Sequence, residues 1–137
     1  MKKLLLSLMV LLITTSVTAS EVSYQSTEKR VSDMKEMADG MGLVMNGLLY
    51  NYLDNVNMGA KKIQGSVKRI QSHDLKKYLP SETAYAYKFG EKSLRRISEY
   101  ATELEEAMNA KDYEGAFESA TLLMRQCNSC HSRVRGW

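Results

Sequence analysis

The sequence predicts an all-α protein, an antiparallel up-down-up-down four-helix bundle, and three observations carry that expectation. Only one proline, Pro80, occurs in 137 residues, so little in the chain interrupts a helix. The alternation of β-branched and aromatic residues that marks strands is missing throughout. Four segments instead repeat apolar residues every three or four positions and are joined by short connections, which favours antiparallel neighbours.

Helix A runs from about Glu28 to Tyr52. Its apolar face is Val31, Met34, Met37 or Ala38, Met41, Val44 or Met45, and Leu48 or Leu49. Gly40, Gly42 and Gly47 weaken it by about 1 kcal/mol each relative to alanine, and they let a neighbour or a cofactor come close. Asp54 or Asn55 is expected to cap helix B, in which Val56, Ala60, Ile63, Val67 and Ile70 keep the period as far as about His73, with Lys61, Lys62, Lys68 and Arg69 facing out. Leu79-Pro80-Ser81 marks a break, and Ser81 is the expected cap of helix C, Glu82 to about Asn109. Helix C turns Tyr85, Phe89, Leu94, Ile97, Ala101, Leu104 and Met108 inward. After a short turn Asp112 caps helix D, which turns Tyr113, Ala116, Phe117, Ala120, Leu123, Met124 and Cys127 inward.

Residues 1–19 read as a secretory signal peptide: Lys2 and Lys3, an apolar run from Leu4 to Ile13, and small residues for cleavage after Ala19. The run is too short to span a bilayer; an uncleaved anchor or a buried amphipathic helix is the competing reading, and the lack of a polar helical face argues against it. No stable membrane insertion is expected after cleavage. Residues 20–137 then form one domain with one core. The 19 basic and 16 acidic residues become 17 and 16 once Lys2 and Lys3 leave. That balance gives no electrostatic footprint for nucleic acid and no steering clue to a partner.

One stretch names a chemistry. In Cys127-Asn128-Ser129-Cys130-His131 two thiols three residues apart precede an imidazole, the spacing that attaches a c-type haem. Each sulfur adds across one vinyl group, and His131 falls beneath the macrocycle as proximal iron ligand. A redox dithiol or short disulfide competes, but such a motif accompanies a βαβ pattern that is lacking here. Zinc needs a fourth ligand, and His73 is the only other histidine. The expected cofactor is therefore one covalent haem c, at the pole of the bundle beside the end of helix D. Its edge should meet Met34, Met37, Met41, Ile70, Tyr85 and Phe89. Met45 and Leu48 should sit further off, since Met45 is roughly 12 Å along the axis from Met37.

The C-terminal run Cys127-Asn128-Ser129-Cys130-His131-Ser132-Arg133-Val134-Arg135, on a chain of this length and helical pattern, resembles the cytochrome c-prime family, including its low-spin members. Asp112-Tyr113-Glu114-Gly115-Ala116 is similar to the turn that opens the family's last helix, while Val134 stands where the family carries an aromatic ring. The resemblance implies attachment of haem outside the energy-conserving membrane, hence the periplasm. It also implies a propionate or proximal role for Arg135, with Arg125 and Arg133 as alternatives and a solvated charge as the competing reading, and it permits a homodimer through the faces of helices A and B. A distal ligand from the first turns of helix A favours Met37, then Met34, then Met41. Methionine opposite histidine favours reduced iron and gives a six-coordinate electron carrier. A methionine stripe is also ordinary core filling.

His73 comes toward the same pole, but its polar run with Ser72 and Asp74 argues for a solvated loop residue. No Ser/His/Asp set, paired catalytic carboxylates or phosphate loop appears, so no enzyme is expected. The expected function is transfer of single electrons between redox protein partners. The alternative is a five-coordinate haem protein that binds or senses nitric oxide or carbon monoxide, and a third reading is a haem-free helical dithiol protein.

Overall fold

A computed structural model of the protein describes residues 17–79 and 84–134. All regular structure among the described residues is helical: α1 (Val17–Tyr50), α2 (Leu53–Gln71), α3 (Leu75–Tyr78), α4 (Ala84–Asn109) and α5 (Tyr113–Val134). The four long helices match the expected segments A to D. The leader falls on residues 1–16, outside the described residues, and on Val17–Ala19, the first turn of α1, which therefore starts well before Glu28.

Chain reversals account for the helix ends. Asn51 adopts φ 59°, a left-handed conformation that asparagine tolerates, and the Tyr52 amide donates back to the Gly47 carbonyl at 2.8 Å. That six-to-one bond ends α1 in a Schellman motif at Tyr50 rather than Tyr52. The turn leads directly into α2, so neither expected cap is used. Tyr52 occupies the cap position without a side-chain bond, and Asp54 lies inside the first turn, where it complements the helix dipole. Asn55 donates to Asn46 instead, at 3.0 Å.

The same device closes α4. Lys111 has φ 60°, and the Asp112 amide donates to the Ala107 carbonyl at 2.9 Å. Asp112 then caps α5 as expected, its carboxylate accepting from the Gly115 amide at 3.0 Å. The one-turn α3 is an addition to the expected elements. It is capped by Asp74, which accepts from the Lys76 amide at 3.0 Å. The expected break and cap at Pro80 and Ser81 lie outside the described residues.

Packing arranges the long helices around a common core. α1 lies along α2, α2 along α4 and α4 along α5, whereas α1 and α5 touch only sparingly. α1 and α2 approach closely because glycines meet: a Cβ on Gly59 would stand 2.5 Å from the Gly40 carbonyl oxygen. Val44, Val56, Ile63, Ile70, Leu104 and Leu123 are fully enclosed. Of the pair Leu48 or Leu49, Leu48 packs on the core, whereas several residues expected inside are exposed instead, among them Val31, Tyr85, Tyr113, Phe117 and Met124. Val31 and Met124 line the open interval between α1 and α5, and a residue such as Phe117 is covered only where a neighbouring helix overlaps it. No helix among the described residues is long and apolar enough to cross a membrane.

Candidate functional site

The interval between α1 and α5 is a cavity of about 870 Å³, within the range of about 300–1,000 Å³ usual for cofactor pockets. On α5, Cys127, Cys130, His131 and Val134 all line it, because positions i, i+3, i+4 and i+7 share one helical face. Across the cavity α1 contributes Arg30, Met34, Met37, Met41 and Met45 at the same period, and Leu94 and Ile97 from α4 complete the apolar lining. Thus the two thiols, the imidazole and the expected methionine candidates open on one space.

Local contacts fix the α5 wall. Ser93, fully buried, accepts a hydrogen bond from Gln126 Nε2 at 3.0 Å and is also bonded to the Cys130 thiol. Burial pushes the Cys127 thiol up to about 11, helped by the neighbouring Cys130. Burial raises Cys130 as well, against the opposing effect of Ser93. Both cysteines are unpaired thiols, protonated at neutral pH. Among the described residues no group of three or more His, Cys, Asp or Glu side chains is gathered to hold a bare metal ion. What the walls can hold is an apolar group that uses sulfur and imidazole on one side and thioether on the other.

Some expected neighbours lie elsewhere. Ile70 is fully enclosed in the core, Tyr85 is exposed, and Phe89 is covered by Arg133, whose guanidinium lies 5.0 Å from the ring centroid. The reason is axial offset. Phe89 is level with Arg133 and Ser93 with Cys130, so the stretch of α4 that faces the cavity is Leu94 to Ile97. Met45, expected further off, lines the cavity, because the α1–α5 seam is open over several turns. His73 is exposed and stacks on Tyr78 with ring centroids 5.6 Å apart; it does not line the cavity. Arg135 lies outside the described residues.

Arg30 was missed, as was the polar cluster behind it. Its guanidinium donates to the Tyr78 carbonyl at 2.8 Å while lining the cavity. Tyr78 Oη donates to Asp33 Oδ2 at 3.0 Å, and Arg69 Nε reaches Asp33 Oδ1 at 2.8 Å; Arg69 also pairs with Glu36. The bond to Asp33 is the chief cause raising the Arg69 pKa. Burial, then the bond to Asp33, drives the Tyr78 phenol well above its ordinary 10.0. This cluster ties α1, α2 and α3 together at the end of the bundle where Arg30 enters the cavity. Comparison with protein-family models, with curated proteins and with solved structures gives no match for this chain.

Proposed function

We propose that this chain is a periplasmic monohaem c-type cytochrome that carries single electrons between redox protein partners, an antiparallel four-helix bundle of the cytochrome c-prime kind with its cofactor at one pole. The observation that carries the reading is the shared cavity of Cys127, Cys130, His131 and the α1 methionines. The residues fit the group. Cys127 and Cys130 would hold a haem as thioethers, each S–H adding across one vinyl double bond with the sulfur on one carbon and the hydrogen on the other. His131 offers a nitrogen from the same wall. Met37, with Met34 and Met41 as alternates, offers a thioether from the facing wall. Arg30 supplies a cation for an acidic edge group, a role the resemblance suggests for Arg135, with Arg125 and Arg133 as alternatives.

Haem iron, when bound, supplies the one-electron couple. The chain's part is to exclude water with Leu94, Ile97 and Val134 and to fix the ligands by helical spacing. That the chain is a carrier rather than an enzyme rests on the sequence, in which no Ser/His/Asp set, paired catalytic carboxylates or phosphate loop appears. Export follows from residues 1–19, and a homodimer remains compatible with this reading.

The test is expression in a host able to attach haem. Intact mass should show one added porphyrin that survives acid-acetone extraction, and loss of that addition in the unaltered chain would sink the reading. The ferrous spectrum should not change with carbon monoxide. Of Met37→Ala, Met34→Ala and Met41→Ala, one should convert it to a carbon monoxide-binding form, with Met37 first in order. Binding of carbon monoxide by the unaltered chain would establish the gas-binding alternative instead.

A further inference from the structure

The near-neutral net charge of the chain conceals a strong segregation. On the outer stripe of α4, Lys88, Lys92, Arg95 and Arg96 occupy the first half against one carboxylate, Glu91. The second half carries Glu99, Glu103, Glu105 and Glu106 and no cation. This order opposes the helix dipole, which favours anions early and cations late. Helix stability therefore does not account for it.

Neighbouring elements extend both trends. α3 adds exposed Lys76 and Lys77 to the basic end, the Lys76 ammonium lying 6.0 Å from the Tyr87 ring centroid on α4. The start of α5 adds Asp112, Glu114 and Glu118 to the acidic end, against the single cation Lys111. Glu114 precedes His131 by about 25 Å along the α5 axis. The basic half lies beside the wall that carries Cys127, Cys130 and His131, because Ser93 bonds both Gln126 and Cys130.

On the flank of this basic stripe toward α5 is an aromatic and arginine cluster. Tyr85, 61% exposed, stacks on Phe89 with ring centroids 5.8 Å apart, and Arg133 covers the other part of Phe89. Aromatic side chains and arginine are enriched at the centres of protein interfaces, with a charged rim around them. A bilayer would require a free apolar stripe, and that of α4 is already spent on the core, where Leu94, Ile97, Ala101 and Leu104 are buried.

We propose that the basic outer stripe of α4, Lys88, Lys92, Arg95 and Arg96, flanked by Phe89 and Arg133 on the α5 side and by Lys76 and Lys77 on the α3 side, docks an acidic surface of a redox protein partner. The acidic end, repelled by the same partner, turns the cavity end toward it. The redox character of the partner rests on the function proposed above. The existence of the docking face does not.

Polyglutamate serves as the acidic probe, titrated into the ¹⁵N-labelled haem-loaded chain. Amide shifts should move at low salt in Lys76–Lys77, Tyr85–Arg96 and the end of α5, and the effect should vanish at high salt. Combined Lys88→Glu, Lys92→Glu, Arg95→Glu and Arg96→Glu should weaken the interaction at least about tenfold. Combined Glu103→Lys, Glu106→Lys, Glu114→Lys and Glu118→Lys should not weaken it, which separates a lost site from a damaged fold. Shifts spread evenly over the surface, or full affinity in the first variant, would overturn the proposal. So would anionic phosphatidylglycerol vesicles moving these amides when polyglutamate does not. Amide shifts read charge and not iron, so a chain that failed to carry porphyrin by mass would still answer this question separately.

Discussion

Asp33 sits almost out of water at 6% exposure, with both carboxylate oxygens engaged, one by Arg69 and one by Tyr78. A buried carboxylate is tolerable only with such partners. Removing it leaves the Tyr78 phenol without its acceptor, while the half-exposed Arg69 keeps Glu36 and Ser66, so Asp33→Ala should cost about 2 kcal/mol in urea unfolding. Tyr78→Phe removes one partner only and should cost about 1 kcal/mol. The pH dependence carries a sign. With its folded pKa raised above 10.0, Tyr78 keeps its proton when the unfolded chain has lost it. Its contribution is complete below the unfolded value and is lost as pH rises beyond it. The unaltered chain should therefore lose stability more steeply above about pH 10 than Tyr78→Phe does; parallel declines would show that Tyr78 is not the group responsible. Nothing in the sequence marks this cluster, since Asp33, Arg69 and Tyr78 come from three segments and each alone reads as a surface residue. By contrast, the joint opening of Cys127, Cys130 and His131 on one face was legible, because a helix fixes it locally.

At the scale of the helices, α1 and α2 are held at a spacing that only glycine allows. The backbone of Gly40 and of Val44 would both lie within 3 Å of a Cβ on Gly59. Backbone cannot rotate away as a side chain does. In a helix the change from glycine to alanine ordinarily gains up to about 1 kcal/mol. Gly59→Ala should nevertheless destabilise by about 1–3 kcal/mol, the usual cost of overpacking. Gly65 is the control, its Cβ meeting nothing closer than Arg69 Nη1 at 3.6 Å; Gly65→Ala should raise the urea midpoint. If both substitutions stabilise, the close approach of α1 and α2 is not as described. The apolar period made the four long helices readable to within a few residues at most ends. It could not give the α1 terminus, which is set by a left-handed Asn51, nor α3, a single turn with too few residues to show a period. It also misjudged Tyr85, Tyr113 and Phe117, since periodicity identifies a stripe but not how far a neighbour overlaps it.

In the molecule as a whole, three of the four seams between long helices are closed by direct packing, and the seam between α1 and α5 is not. The cavity of about 870 Å³ runs along it, so Met34, Met41 and Met45 are only partly buried there and Met124 is exposed. A group seated in the cavity would give α1 and α5 their shared contacts, and its stabilisation would come chiefly from apolar area withdrawn from water. The comparison should use one sequence in two hosts, one that attaches haem and one that does not, so that no substitution confounds it. The loaded protein should melt higher by at least about 10 °C, which for a domain of this size corresponds to a few kcal/mol. Amide exchange should slow most along the cavity faces of α1 and α5, and least at the Gly40–Gly59 crossing, which is already closed by backbone contact. Equal melting temperatures in protein shown by mass to carry porphyrin would mean that the open seam is not where the cofactor sits, and the assignment of the α1 methionines to the distal side would fall with it.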